Sequence, residues 1–331
     1  VTPLKLVFLG SDPIALPLLN WLAGEGSALA QVVAVFTQPD RPSGRGQAIT
    51  ANAIKTWALA RNLPVHQPEK LTGDVRAQLA GYGADVALVM AYGHILKDDF
   101  IATPRLGTLN LHTSLLPSYR GASPIQTAIA SGERETGVTL MRIVRELDAG
   151  PLADSERTSI APLDTAQDVE AKLAAACVPL LARTLPKLRD GALAFTAQDT
   201  TAVSFCRRLE KADGALDFTK PAAALAARIN GLFPWPTCTI SLQGRDVKLG
   251  LADALPGNGT PETVLGADAD GLLVGTGSGV LRLRRLQRPG GKLLPAGDFL
   301  RGFPVAAGTV IASRPMPPLV SPTPFVVGRG R

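Results

Sequence analysis

The sequence predicts an α/β protein in two parts, a mostly parallel sheet covered on both faces followed by a smaller all-β barrel or sandwich. Its 331 residues suit two domains at about 100–200 residues each. Up to about residue 190, apolar strand-like runs alternate with amphipathic helical stretches, the pattern of a parallel sheet with helices on its faces. Beyond it come short runs of β character punctuated by Gly and Pro, the pattern of a small all-β unit.

Leu4–Gly10 (LKLVFLG) reads as a buried strand. Ser11 or Asp12 can cap the helix that follows, and Pro13 suits its first turn. Gln31–Phe36 is a second strand and Ile49–Arg61 a helix; Asp85–Met90 and Thr108–His112 are further strands. Ser123–Ser131 reads as a helix, Gly137–Ile143 as a strand and Thr165–Arg189 as a long helix. Asp190–Phe205 has little periodicity and reads as a linker; Pro221–Asn230 is one amphipathic helix. Thr237–Leu242, Asp246–Leu251, Gly271–Val274 and Val280–Leu286 are the β runs of the second part. Ser313–Arg331 has five prolines and no period, and is expected to be an irregular tail.

No stretch of about 18 apolar residues is free of polar breaks, so a membrane-spanning helix is not expected. Val1–Gly10 lacks the basic region and cleavage site of a signal peptide. Cys177, Cys206 and Cys238 are too few and too scattered for a disulfide framework or a zinc site, and no metal site is expected. The expected protein is soluble, cytoplasmic and monomeric. Residues 1–200 hold 18 Lys and Arg against 19 Asp and Glu, and residues 201–331 hold 16 against 9. A nucleic-acid or anionic-membrane partner for the basic half explains this asymmetry, as does an arginine-rich composition.

The densest chemistry lies in Asn110-Leu111-His112-Thr113-Ser114-Leu115-Leu116-Pro117-Ser118-Tyr119-Arg120-Gly121. Side chains alternate along a strand, so Asn110 and His112 share a face at its carboxyl end, where ligands of open α/β sheets bind. An imidazole moves a proton near neutral pH, and an amide beside it can donate to a developing oxyanion. Asp148 is the candidate carboxylate to orient the ring; equally, these three could be a satisfied loop edge and a turn former. Ser114 has no nucleophile-elbow pattern around it, and neither GxGxxG nor GxxxxGK[ST] follows the first strand. His66 and His94 stand alone. Thr37–Gln47 (TQPDRPSGRGQ) is a basic loop after the second strand, able to act as a lid or a phosphate-gripping finger through Arg41 and Arg45.

NLHTSLLPSYRGASPI followed by TGVTLMRIVRELDAGPL resembles the signature of the folate-dependent formyltransferase family. The loop TQPDRPSGRGQ, the segment Ala91-Tyr92-Gly93 and Phe233-Pro234-Trp235-Pro236 narrow the resemblance to the branch acting on methionyl-tRNA. It implies a Rossmann-like catalytic domain over residues 1–189, a linker over 190–207, a basic OB-like tRNA-binding domain over 208–312 and the tail over 313–331. The implied reaction moves the formyl group of 10-formyltetrahydrofolate to the methionine amine of initiator methionyl-tRNA. Asn110, His112 and Asp148 match the catalytic trio. Ser114, Leu115, Leu116 and Pro117 match the folate-contacting segment, with Met90, Tyr92 and Ile95 walling the same pocket, and Arg41 and Arg45 fall in the tRNA-contacting loop. Two departures bear on that loop and on the first turn: Gln47-Ala48-Ile49-Thr50-Ala51-Asn52-Ala53-Ile54-Lys55 stands where the family carries prolines and a further lysine, and Gly10-Ser11-Asp12-Pro13-Ile14-Ala15 replaces Gly-Thr-Pro-x-Phe-Ala. The rival is a formyltransferase for an amino sugar nucleotide or another small amine, against which the GRG loop and the basic half speak. A non-catalytic tRNA-binding relative is the third reading, against which the intact trio speaks.

Overall fold

The computed structural model describes residues 2–43 and 48–325. The chain opens with β1 (Leu4–Gly10), α1 (Leu16–Ala23) and β2 (Ala30–Phe36), then a hairpin of β3 (Arg41–Ser43) and β4 (Ala48–Thr50). α2 (Ala53–Leu59), β5 (Val65–His66), α3 (Gly73–Gly81), β6 (Val86–Met90), α4 (Asp98–Ile101) and β7 (Thr108–His112) follow. Next come β8 (Arg120–Gly121), α5 (Pro124–Ala130), β9 (Glu135–Arg142), β10 (Leu152–Ser159) and the long α6 (Ala166–Arg189). Two compact units emerge, each discontinuous in sequence. The first holds residues up to Arg120 with Gly137–Thr158 and Ala171–Ala202; the second holds Gly121–Thr136, Ser159–Glu170 and the chain from Val203.

The first unit is built on a seven-stranded sheet in the order β10-β9-β7-β6-β1-β2-β5. β1 lies between β2 and β6, parallel to both, and β7 continues parallel beside β6. β9 runs antiparallel to β7. The chain therefore fills one side of β1 first and then the other, and the strand order reverses between β1 and β6. Gly10, Met90 and His112 end their strands on this switch-point edge, where such sheets place their ligands. All five residues of β6 are buried, as expected of a strand covered on both faces. On one face Leu6, Val86, Leu88, Leu109 and Leu140 meet Leu181, Leu185 and Leu188 of α6. On the other, Val7, Leu9, Phe36, Ala87 and Val89 pack with Leu79 and Phe100. Truncating one such side chain, Leu88→Ala for instance, costs about 2–5 kcal/mol.

Asp12 caps the turn after β1, its Oδ1 accepting the Ile14 N–H at 3.0 Å, with Pro13 at the first position of that turn. The expected helix over 49–61 starts only at Ala53. Asn52 Oδ1 accepts the Lys55 N–H at 2.9 Å, which fixes the helix start. The β-branched Ile49 and Thr50 before it pair with Pro42 and Arg41 instead. Two elements carry no usable pattern: α3 (GDVRAQLAG) buries only Leu79, and β10 (LADSERTS) is a polar outer strand.

In the second unit, β11 (Phe205–Cys206), α7 (Ala222–Leu232), β12 (Cys238–Leu242), β13 (Arg245–Leu255), β14 (Val264–Ala267), β15 (Leu272–Gly275), β16 (Val280–Gln287), β17 (Leu293–Pro295), α8 (Ala296–Gly302) and β18 (Val320–Ser321) follow in order. β12-β13-β16-β15-β14 form a curled antiparallel sheet, with β17 added to β16. The register of β13 shifts around Gly250, and such bulges bend a strand. α7 packs on α5: a Cβ at Gly231 would meet Ala130 N at 2.5 Å and Gln126 O at 2.7 Å, so only glycine permits this approach.

The expected irregular tail is, over its described part, a fitted strap. Ser313 Oγ accepts the Phe218 N–H at 2.9 Å and Arg314 N donates to Leu216 O at 2.7 Å. Arg228 and Arg207 donate to the carbonyls of Pro317 and Pro318 at 2.9 and 3.1 Å, and Val320–Ser321 pairs antiparallel with Phe205–Cys206. Proline lacks a donor but keeps its carbonyl, so arginines hold a segment that no ladder could. Among the described residues, no helix is long and apolar enough to cross a membrane.

Candidate active site

β7 delivers Asn110 and His112 to the same face, Asn110 opposite Val89 on one side and Met141 on the other. The His112 ring is 6 % exposed. Its Nε2 lies 3.0 Å from the Tyr119 carbonyl, which can only accept, so Nε2 carries a hydrogen. Nδ1 is then the nitrogen free to gain or lose a proton, and it faces Asp148 Oδ2 at 3.8 Å. Asp148 sits in the β9–β10 loop with φ +48°, a left-handed conformation that disfavours most non-glycine residues by roughly 1–2 kcal/mol. The Asn110 side chain is half-buried and makes no hydrogen bond among the described residues. The trio that the sequence singles out is thus brought together at the carboxyl end of β7: an amide donor, a proton-carrying ring and a carboxylate beside it.

The segment after β7 is shaped from within. Thr139 Oγ1 donates to Ser114 O at 2.6 Å and accepts the Leu116 N–H at 3.1 Å. Ser114 Oγ donates to Ser118 O at 2.7 Å, so this buried hydroxyl serves the loop's own shape. Leu115 and Pro117 are half-buried and Leu116 is buried. Of the residues expected to wall the folate pocket, Ile95 is 91 % exposed, whereas Met90 and Tyr92 are 0 % and 2 % exposed. Met90 and Tyr92 support the switch-point edge from inside, and burial pushes the Tyr92 phenol up.

Arg41 is exposed at the start of the hairpin; Arg45 lies outside the described residues. The base of the hairpin is firmly held: Asp40 pairs with Lys55 and accepts from Gln67 Nε2 at 2.7 Å. These hydrogen bonds, that of Lys55 first, keep the Asp40 carboxyl below its usual range. Gln38 joins the two sides of the edge, its backbone N–H donating to Ser11 Oγ at 2.9 Å and its Nε2 to Tyr92 O at 3.1 Å. His66 stacks on Phe36 and bonds the Tyr82 hydroxyl at 2.7 Å. Burial lowers the His66 pKa, and burial followed by the Arg41 cation lowers that of His94.

Two residues near the trio escape sequence reasoning. Arg120 lies inside the densest motif but carries no local sign of a role. Gln198 sits in an aperiodic stretch read as linker, and a lone glutamine there gives no signal. Both are buried, and Gln198 bonds the Asp148 loop at two points. Among the described residues, no group of three or more His, Cys, Asp or Glu side chains could hold a metal ion.

Comparison with known proteins places this geometry. Residues 4–185 match the family described as formyl transferase, and residues 208–304 match the formyl transferase C-terminal domain. A methionyl-tRNA formyltransferase of Aromatoleum aromaticum is 39% identical over 307 residues, 92% of this chain and 96% of that protein. One from Pseudomonas entomophila is 40% identical over 297 residues, 89% of this chain and 95% of that protein. Among solved structures, WlaRD, a sugar 3N-formyl transferase crystallised with dTDP and 5-N-formyl-THF, aligns with TM-score 0.62 at 18% identity. That alignment covers 86% of this chain and 98% of that one, and it speaks to the fold alone. With its N-terminal match spanning more than half of the chain and relatives aligned over about nine-tenths of it, the chain belongs to the formyl transferase family.

Proposed function

We propose that the chain transfers the formyl group of 10-formyltetrahydrofolate to the α-amino group of methionine on initiator methionyl-tRNA, as a cytoplasmic monomer. The observation that carries this reading is identity near 40% to methionyl-tRNA formyltransferases across about nine-tenths of the chain, together with the trio at the end of β7. The methionine amine attacks the formyl carbon, and the carbonyl oxygen takes up the negative charge. Asn110 and the protonated His112 donate to that oxyanion, which is worth several kcal/mol where water is excluded. The tetrahedral carbon then collapses, expelling N10 of tetrahydrofolate, which takes a proton as the amine loses one. Asp148, its Oδ2 3.8 Å from Nδ1, orients the ring. Leu115, Leu116 and Pro117, with the exposed Ile95, offer apolar surface to a flat pterin, and Met90, Tyr92 and Ser114 hold that surface in place. Arg41 and Arg45 belong to the basic sequence stretch Thr37–Gln47, which meets the acceptor end of the tRNA.

The test is a formylation assay with the purified protein, 10-formyltetrahydrofolate and charged initiator tRNA, with elongator methionyl-tRNA beside it. Formylation of the initiator species is the expected result. Transfer only to an amino sugar nucleotide would keep the trio and overturn the tRNA reading.

A further inference from the structure

Asp148 holds a left-handed backbone (φ +48°), and one buried side chain bonds its loop at two points. Gln198 Nε2 donates to Asp148 O and to Gly150 O, both at 2.8 Å. Its Oε1 accepts two N–H groups of the Arg120 guanidinium, at 3.1 Å from Nε and 2.7 Å from Nη2. Both side chains are nine-tenths buried or more: Gln198 is 9% and Arg120 8% exposed. A guanidinium only donates and backbone carbonyls only accept, so the amide has one orientation, oxygen toward Arg120 and nitrogen toward the loop. On its other side the loop closes against β9, where a Cβ at Gly150 would meet Arg142 O at 1.8 Å. The turn carrying Asp148 is therefore fixed between the end of β9 and the Gln198 amide.

Arg120 links this clamp to the other half of the pair. It follows Tyr119 directly, whose carbonyl holds His112 Nε2 at 3.0 Å. The segment that fixes the imidazole thus continues into the guanidinium that fixes Gln198, and Gln198 fixes Asp148. We propose that Gln198 is a positioning residue for formyl transfer, setting the Asp148 carboxylate against Nδ1 of His112 through its two bonds to the loop carbonyls. This rests on the reading of His112 and Asp148 as the catalytic pair. Only an amide of this length satisfies both sides: glutamate keeps the Arg120 contact and loses both donations, and leucine loses everything.

The experiment compares the full-length wild type with Gln198→Glu, Gln198→Leu, Asp148→Asn and the double variant Gln198→Glu/Asp148→Asn in steady-state formylation of initiator methionyl-tRNA. A loosened carboxylate should cost kcat on the order of 10²-fold, with KM for 10-formyltetrahydrofolate within about twofold. In the Asp148→Asn background Gln198→Glu should add little, because residues acting through one another are non-additive. Hydrogen exchange across residues 146–151 should accelerate in Gln198→Glu while the β6 and β7 amides stay protected. Wild-type kcat in Gln198→Glu, a multiplicative loss in the double variant, or unchanged exchange in the loop would each overturn the proposal. A wild type that formylates no methionyl-tRNA would instead defeat the functional reading, and the exchange arm would still decide whether the clamp holds the loop.

Discussion

Nδ1 of His112 and Oδ2 of Asp148 stand 3.8 Å apart, an ion-pair separation too long for a direct hydrogen bond. The opposite ring nitrogen is committed to the Tyr119 carbonyl. The ring is thus held by one nitrogen and chemically available at the other, and the two residues invite separate tests.

His112→Ala should lower the formylation rate by about 10²–10⁴-fold, the range for losing a general acid–base group. The ring's single bond to Tyr119 O is a small part of the fold, so far-UV circular dichroism should be unchanged. Activity within tenfold of wild type would remove His112 from the chemistry.

Asp148→Asn separates charge from conformation, since asparagine tolerates left-handed backbone better than other non-glycine residues. Its melting temperature should match the wild type, while kcat falls by roughly 10²-fold. Asp148→Ala should in addition destabilise by about 1 kcal/mol, read from urea unfolding. An Asp148→Asn enzyme with full kcat would show that the carboxylate does no electrostatic work.

Lys248 and Arg285 are exposed on the curled sheet, and neither makes an ion pair among the described residues. Lys248→Glu/Arg285→Glu should weaken tRNA binding and reduce the slope of log K against log salt by roughly one to two, about one counterion per lost phosphate contact. The KM for the folate donor should stay put. An unchanged salt slope would place the tRNA elsewhere.

Burial raises the Asp253 pKa, but bonds from Arg282 and Arg284, at 2.6 and 3.0 Å, more than offset it, so the folded carboxyl titrates below its usual value. A depressed folded pKa gives stability that is complete above the unfolded value of about 3.9 and drains away as pH falls through the folded one. Urea unfolding monitored on the second unit should show that acid loss, and Asp253→Asn should flatten it while costing about 1–3 kcal/mol near neutrality. An identical pH dependence in the variant would exclude Asp253 as its source.

Leu319 lies in the strap and is 6% exposed, packed into the core of the second unit. Leu319→Ala should destabilise by about 2–5 kcal/mol if the site cannot collapse, seen as a lower urea midpoint. A neutral effect would mean that the strap is held by its hydrogen bonds alone.

Leu4–Gly10 was legible to the residue because a mostly apolar run with sharp ends fits little else, and Thr108–His112 because Thr-Leu-Asn-Leu-His alternates strictly between its two faces. α3 was invisible because it buries a single leucine, and β10 because an outer strand of LADSERTS alternates too weakly. Ile49 and Thr50 of the hairpin read as the start of a helix because helical spacing over 49–61 outweighed the Asn52 cap that cuts it. At the site, Asn110, His112 and Asp148 were legible because strand alternation and a motif place them. Gln198 was not, since its role arises from two carbonyls about fifty residues away, and no local pattern records that meeting.

The discontinuity of the second unit has a consequence in time. Its earliest part, residues 121–136, is synthesised long before α7, which packs on α5, and before Leu319, which completes the core. At about 5–20 residues per second, α5 waits on the order of 5–20 s on the ribosome for α7, about a hundred residues later, and the core of the second unit waits longer still for Leu319. The first unit has all its residues once Ala202 is made. A nascent chain halted after Ala202 and before α7 is complete therefore carries a first unit ready to fold and an apolar α5 still lacking its mate, and that interval is when ribosome-associated chaperones have most to hold.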